Sequence, residues 1–316
     1  MLSVSQPLPG QSWLLKDAMS PHTNDRVMAR ALEELLYIKP RMVPRTSSGR
    51  VRLDQAAPEQ EVFQALLVKC LMSSSKATHP VEHPGRSCLS GIQGYLNAIV
   101  SRPDVLEIYT NTACRVASRL MPVLYDGHRV AGIPGLRFLN HSRRRVRLRH
   151  LPTGARIDLI DSHVSSWFTV RDMHRTFLQE VRWHDDPDMQ RLWELPALAP
   201  EEERHADLWA PTPCTPLRSA IMVRAMSLWY KNDIYPDWVP PQHGTDCPGL
   251  TWDISEQEPG AAQIGSLLTA SAIAIPAAVF HQRSAHDGLL ELGDGRIRLS
   301  SGTVWDRVTQ RTGTRR

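Results

Sequence analysis

The sequence predicts a mixed α+β fold, with a helical N-terminal portion, a central basic β-hairpin and a smaller C-terminal α/β portion. Apolar residues recur with helical spacing in several segments, whereas residues 143–150 alternate basic and apolar side chains, as in a half-buried strand. The 316 residues are 41% hydrophobic and 22% charged, so most of the chain is expected to fold around a core rather than stay disordered.

Helical spacing predicts two helices near the N-terminus. The first covers residues 24–38, where apolar side chains form one stripe and Pro40 ends the helix. The second begins at Pro58 and runs to about residue 72. A third helix is expected at residues 89–100. A fourth is expected at 101–121, because its first residues, SRPD, have the spacing of a capping box.

Two more helices follow from N-terminal signals in the second half. Thr169 and Asp172 repeat the capping-box spacing and predict a helix that ends near residue 183. Thr215 and the proline after it predict a helix over residues 215–232. Residues 259–280 carry no charge and are long enough to cross a bilayer, but their many small residues and Pro276 favour a buried helix instead.

Two β-hairpins are predicted. In the first, RRRVRLRH is joined through LPTG to ARIDLIDSH, and the inner face carries Val146, Leu148, Ile157 and Leu159. The second is GLLELGDGRIRLSSG, in which the glycines of 293–295 supply the positive φ angles of a short turn.

Proline-rich and acidic stretches divide the chain into four expected segments. These are a loosely ordered arm at 1–22, a main α+β domain at 23–195, a linker at 196–216 and a C-terminal subdomain at 217–316. The N-terminus lacks the pattern of a secretory signal, and the five cysteines are scattered. We therefore expect a cytoplasmic protein without membrane association.

A concentration of arginine near the middle of the chain is the main functional signal. Nine arginines and one acid, Asp126, lie between Arg115 and His150. Because alternate strand residues share a face, Arg143, Arg145, Arg147 and Arg149 would form an arginine row spaced by about 6.5 to 7 Å. This spacing suits successive phosphates of an extended nucleic-acid strand. The predicted nucleic-acid-binding residues are Arg137, Arg143, Arg144, Arg145, Arg147 and Arg149.

An acidic block at residues 180–207 offers a purely structural explanation of the same charges. Its carboxylates would neutralise the arginines within the chain, or the basic face would simply be solvated. Seven tryptophans between residues 167 and 252 favour nucleic acid only weakly, because each is more typical of a core.

Two weaker constellations suggest metal chemistry. Cys70, His79, His83 and Cys88 have ligand types that suit zinc, but their spacing matches no known finger, and a core cysteine with loop histidines is the favoured explanation. Asp161 and His163 end a predicted strand on one face, where a metal-dependent nuclease or phosphoesterase could hold its ligands or general base.

The sequence therefore favours a non-catalytic protein that binds nucleic acid or another polyanion, with no cofactor. Such a protein would suit a nucleoprotein complex of a mobile element or virus, where protein partners are also expected. A metal-dependent hydrolase and an assembly subunit without nucleic-acid contact remain the alternatives. Phosphate-binding loops, dinucleotide fingerprints, serine elbows and zincin motifs are absent from the sequence.

Overall fold

The computed structural model describes residues 21–39, 42, 52–71, 92, 94–125, 127–142, 144–162, 190–229, 237–239, 248–253 and 260–302. Within these residues, helices and three sheets form a mixed α+β fold, as the sequence predicts. Residues 1–20 of the expected arm and the expected helix at 169–183 lie outside the described residues.

The described residues form six α-helices. They are α1 (Pro21–Leu35), α2 (Pro58–Leu71), α3 (Ala113–Leu120), α4 (Pro200–Glu203), α5 (Thr215–Trp229) and α6 (Ala261–Ala270). The predictions of α1, α2 and α5 are confirmed. In α2, Glu59 and Glu61 lie in the first turn and Lys69 in the last, which complements the helix dipole.

Thirteen strands are present in the described part of the chain. They are β1 (Leu96–Ser101), β2 (Val105–Thr110), β3 (Val123–Tyr125), β4 (Arg129–Ala131), β5 (Leu136–Ser142), β6 (Arg145–His150), β7 (Arg156–Asp161), β8 (Gln190–Arg191), β9 (Asp237–Val239), β10 (Gly249–Asp253), β11 (Val279–Gln282), β12 (Asp287–Leu292) and β13 (Gly295–Gly302).

These strands form three sheets. The central sheet has the order β1-β2-β7-β6-β5, in which β2 and β7 are parallel and the other neighbours are antiparallel. The C-terminal sheet has the order β11-β12-β13-β10-β9, with β10 and β13 parallel. A small sheet has the order β4-β3-β8.

The principal hydrophobic core covers one face of the central sheet. Its members on the sheet include Ile108, Leu148 and Ile157, and α2, α3 and α5 pack against them. The same cluster continues into α6 and into Leu290 and Leu299 of the C-terminal sheet. The opposite face of the central sheet is covered at its β1 and β2 end by a second cluster, which includes residues of α1.

Both predicted hairpins are confirmed. The inner-face residues Val146, Leu148, Ile157 and Leu159 are all buried. In the C-terminal hairpin, Leu292 pairs with Gly295, and Gly293 has a φ of 56°. That backbone region is strained for residues with a side chain, so glycine suits the turn.

The predictions of helices at 89–100 and through most of 101–121 are wrong. Residues 96–101 form β1 and residues 105–110 form β2, and the amide of Arg102 donates to the carbonyl of Val105 in the turn between them. The SRPD sequence therefore makes a hairpin turn instead of a capping box. β-branched residues recur in both strands and favour this outcome.

None of the helices that the structure describes is long and apolar enough to span a membrane. The uncharged stretch at 259–280 contains the ten-residue helix α6 and the first part of β11. Ala261, Ile264, Gly265 and Leu268 of α6 are buried, as expected of a helix that packs closely against its neighbours.

Candidate functional site

The arginine row lies on the face of β6 that is turned away from the principal core. Val146, Leu148 and His150 are buried on the core side, whereas Arg147 and Arg149 are exposed and Arg145 is partly exposed. The predicted alternation is therefore present in the strand. Arg143 lies outside the described residues.

Two carboxylates from neighbouring strands lie beside the arginine row. Asp158 of β7 is the register partner of Arg147 and of Glu107 on β2. The Nη1 atom of Arg145 is 2.9 Å from Oδ2 of Asp158, and Nε of Arg147 is 3.8 Å from the same oxygen. Burial raises the pKa of Asp158, while Arg145 and Arg147 act in the opposite direction. The charge of the row is thus partly compensated.

The described part of the acidic block pairs with other arginines. Glu194 lies 3.7 Å from Arg191, Glu201 lies 3.4 Å from Arg204, and Glu202 binds Arg137. The carboxylates that contact the row come instead from β2 and β7. Residues 180–189 of the block are outside the described residues.

Arg137 does not belong to this surface. Only 5% of its side chain is exposed, and its guanidinium donates to both carboxylate oxygens of Glu202 at 2.6 and 2.9 Å. It also donates to the carbonyls of Leu195 and Ala197 at 2.8 Å. Arg137 therefore fixes residues 195–203 to β5, and we leave it out of the candidate site.

A cleft of about 600 Å³ lies beside the arginine row on the same face of the sheet. Its lining includes four cationic side chains, Lys39, Arg144, Arg145 and Arg147, and one carboxylate, Asp161. Its floor is formed by sheet residues that are register partners across three strands: Ala98 pairs with Tyr109, and Tyr109 pairs with Ile160. The cleft thus combines an apolar floor with a cationic rim.

Arg144 is held in the rim by a backbone contact. Its Nη2 atom donates to the carbonyl oxygen of Asp161 at 2.8 Å. Its Nε atom has no hydrogen-bond partner among the described residues. The Asp161 carboxyl interacts electrostatically with this guanidinium, which opposes the effect of burial on the pKa of Asp161. The charge of Arg144 is therefore only partly compensated, and the rest is available to a ligand.

The wall of the cleft opposite the arginines is the segment that follows α1. Leu36 and Ile38 are buried in the second hydrophobic cluster, and the Ile38 amide donates to the Leu32 carbonyl at 2.9 Å. Tyr37, between them, has a φ of 56° and lines the cleft. This is the helix-terminating position that usually holds glycine. Strained non-glycine residues concentrate at functional sites, and here the strain places a tyrosine at the cleft.

Hydrogen bonds tie together the strand ends at the polar end of the cleft. Asn97 donates to Oδ1 of Asn111 at 2.6 Å and to Oγ of Ser162, and Ser162 donates to the Thr110 carbonyl at 2.9 Å. Oδ1 of Asp161 accepts from the first amide of α3, that of Ala113, at 2.7 Å. Burial raises the pKa of the Asp161 carboxyl. Asp161, at the end of β7, therefore caps the N-terminus of α3.

No protein-family model, curated protein or solved structure matches the chain.

The predicted metal sites receive no support from the described residues. No group of three or more His, Cys, Asp and Glu side chains there is placed to hold a metal ion. Cys70 is fully buried, and burial raises the pKa of its thiol to about 12. His79, His83, Cys88 and His163 lie outside the described residues, so the zinc and hydrolase hypotheses stay predictions.

Sequence reasoning missed several members of the cleft. No sequence motif marks the segment after α1, which contains Tyr37, Lys39 and Met42. Only the second hydrophobic cluster brings this segment to the sheet. The helix that the sequence predicts at 101–121 includes Tyr109. Recognising β2 from its β-branched residues would have placed Tyr109 on the same face as Glu107.

Proposed function

We propose that this chain is a non-catalytic nucleic-acid-binding protein that holds phosphate groups at the cleft and along the arginine row. The observation that carries the proposal is the convergence of Lys39, Arg144, Arg145 and Arg147 on one cleft that contains a single lining carboxylate. Like charges brought together in this way repel one another unless an anion lies between them. A sugar-phosphate backbone supplies such anions at regular intervals.

The strand geometry favours a linear polyanion over a single small anion. The side chains of Arg147 and Arg149 project from alternate positions of β6, about 6.5 to 7 Å apart. The Arg147 side chain is 48% exposed, and Arg149 makes no ion pair within the described part of the chain. Each guanidinium presents a planar fork of donors that binds phosphate oxygens in pairs.

Asp158 and Glu107 set the expected strength of binding. They hold Arg145 in place, with Glu107 at 4.0 Å and Asp158 at 2.9 Å, which reduces the ordering needed when a ligand arrives. They also repel a phosphate and compete for the same donors. We therefore expect moderate affinity that weakens steeply as salt is added.

The proposal is tested by measuring affinity for labelled single-stranded and double-stranded DNA and RNA between about 50 and about 300 mM salt. The double variant Arg147→Gln with Arg149→Gln should bind more weakly. It should also flatten the slope of log affinity against log salt by about 1.4 for a single strand, because two fewer phosphates are neutralised. Both side chains are exposed, so the change should leave the fold intact.

The matched control removes two exposed arginines elsewhere. Arg204→Gln with Arg296→Gln causes the same change of net charge outside the cleft, at side chains that are each 63% exposed. This control should keep the original salt slope. Equal slopes in the two double variants would reject the arginine row as the binding surface, and absence of binding at low salt would reject the proposed function.

A further inference from the structure

We infer that the cleft binds one unpaired nucleotide of a single strand, with the base on the apolar floor and the phosphate on the cationic rim. This inference rests on the proposed function and specifies its ligand. It distinguishes single-stranded nucleic acid from a duplex, which the arginine row alone does not do.

The two halves of the cleft match the two halves of a nucleotide. Ala98, Tyr109 and Ile160 give a floor with one aromatic ring, and Met42 adds an apolar side chain from the wall. The rim is cationic on both sides, with Lys39 after α1 and the arginines on the opposite side. A simple inorganic anion would leave the floor unused, whereas a nucleobase can stack on tyrosine.

The register of the sheet places these groups at a suitable separation. Tyr109 pairs with Ile160, and Ile160 pairs with Arg145, so the three residues lie side by side on one face. Neighbouring strands are about 4.8 Å apart, which puts the Cα atom of Arg145 about 10 Å from that of Tyr109. Both side chains reach the Glu107 carboxylate, which lies 3.4 Å from the Tyr109 hydroxyl and 4.0 Å from the Arg145 guanidinium. A base stacked on the Tyr109 ring would therefore have its phosphate within reach of Arg145.

The polar end of the cleft offers hydrogen bonding that a paired base cannot use. The amide nitrogen of Asn97 donates to Asn111 and Ser162, which leaves its Oδ1 atom without a donor among the described residues. An amide oxygen in this position can accept from an amino group on a base edge. In a duplex that edge is occupied by the complementary base.

The size of the cleft is consistent with one nucleotide unit. Its volume of about 600 Å³ lies within the range of about 300 to 1,000 Å³ that is typical of small-molecule sites. A base inside a duplex is stacked on both sides, and reaching the floor would require unpairing it at the cost of a few kcal/mol. The cleft therefore favours a strand whose bases are already free.

The test compares three ligands with the same number of phosphates per strand at one salt concentration. They are a single-stranded oligonucleotide, the same backbone with abasic sites in place of all nucleosides, and a duplex of the same sequence. We expect the single strand to bind about 10-fold more tightly than the abasic strand, because only the former can stack on Tyr109. We expect the duplex to bind no better than the abasic strand.

The variant Tyr109→Leu should reduce this preference while keeping the salt-dependent binding, and Tyr109→Phe should retain the preference through its ring. Equal affinity of the native and abasic strands, or a preference unchanged in Tyr109→Leu, would overturn the inference about the cleft. Either result together with salt-dependent binding would leave the proposed function standing. If the unmodified protein bound none of the three ligands, the inference about the cleft and the proposed function would both be overturned.

A second measurement uses the unmodified chain and does not depend on how the variant folds. A single strand that carries photoreactive thiolated bases is cross-linked to the protein, and the attached peptides are identified by mass spectrometry. Cross-links in the peptide that contains β1 and β2 would support the inference. Cross-links confined to peptides that contribute nothing to the cleft would overturn it.

Discussion

Individual arginines of this protein have different structural roles, which the amino-acid composition does not distinguish. Only 1% of the Arg224 side chain is exposed; it donates to both oxygens of Asp54 at 2.7 and 2.8 Å and to the carbonyl of Ala274 at 2.9 Å. Arg137 is buried against Glu202 in a similar way. Buried charges must be paired, so these two side chains stabilise the fold and are not free for a ligand.

His150 is the residue whose protonation state the core fixes most clearly. Its ring stacks on Phe63 with centroids 5.1 Å apart and meets the edge of Trp209 at 5.4 Å. Nε2 lies 3.1 Å from the Pro134 carbonyl and must donate to it, so Nδ1 accepts from the Thr153 hydroxyl at 2.9 Å. Burial lowers the pKa of His150 to about 3, which keeps the imidazole neutral.

We predict that His150 makes the protein sensitive to mild acid. The unfolded chain binds a proton at this residue below about pH 6.5, whereas the folded protein does not until about pH 3. Stability from this group is therefore complete above pH 6.5 and declines as the pH falls, by about 2 kcal/mol between pH 6.5 and pH 5. Urea unfolding at both pH values should show this loss in the native chain and not in His150→Gln.

The control for this prediction is His128→Gln, which changes an exposed histidine. It should lose as much stability on acidification as the native chain. If His150→Gln were equally sensitive to acid, the neutral state of the buried imidazole would not be the cause.

At the scale of elements, close packing of α6 on the C-terminal sheet depends on glycine. The ring of Phe280 lies between Gly265 of α6 and Gly288 of β12. A Cβ atom at Gly265 would lie 2.4 Å from ring carbons of Phe280, well inside normal contact distance. The helix therefore accepts a residue of poor helical propensity in order to approach the sheet.

The variant Gly265→Ala distinguishes the effect of packing from that of helix propensity. The two effects change the free energy of unfolding in opposite directions. Helix propensity alone would make alanine more stable by about 1 kcal/mol. Overpacking against Phe280 typically costs about 1 to 3 kcal/mol, so we expect a net loss in the free energy of unfolding. Urea denaturation measures the difference.

The same substitution in a Phe280→Ala background provides the comparison. With the ring removed, Gly265→Ala should raise stability through propensity. A stabilising effect in the native background as well would show that the contact with Phe280 does not limit the residue at this position.

At the scale of the whole molecule, one hydrophobic cluster joins elements on both sides of the expected linker at residues 196–216. It includes Phe63 of α2, Leu148 of β6, Ile221 of α5 and Leu290 of β12. Buried contacts that are continuous in this way favour a single cooperative unfolding unit.

We predict that Leu290→Ala weakens the central sheet as well as the C-terminal sheet. Truncating a fully buried leucine costs about 2 to 5 kcal/mol, and in one cooperative unit that loss applies to every element. Native-state hydrogen exchange by mass spectrometry should therefore show reduced protection of β7 peptides together with β12 peptides. Protection lost in β12 and retained in β7 would instead support a boundary at residues 196–216.

Local patterns in the sequence determined the mixed fold class, the helices α1, α2 and α5 and the two faces of the basic hairpin. These features depend on residues a few positions apart, where helical or strand periodicity is sufficient. The same local reasoning failed at β1 and β2, since a turn containing proline and a capping box share the residues Ser101 to Asp104.

Only the tertiary structure determined which charged side chains are accessible to a ligand. It also determined which residues come together in one site. Arg137 became a buried partner of Glu202, while Asp158 and Glu107 came to lie beside the arginine row through strand pairing. Lys39 joined the arginines because the segment after α1 packs on the far end of the sheet. Each of these contacts joins residues distant along the chain, and such pairings are fixed by burial and register across the whole fold.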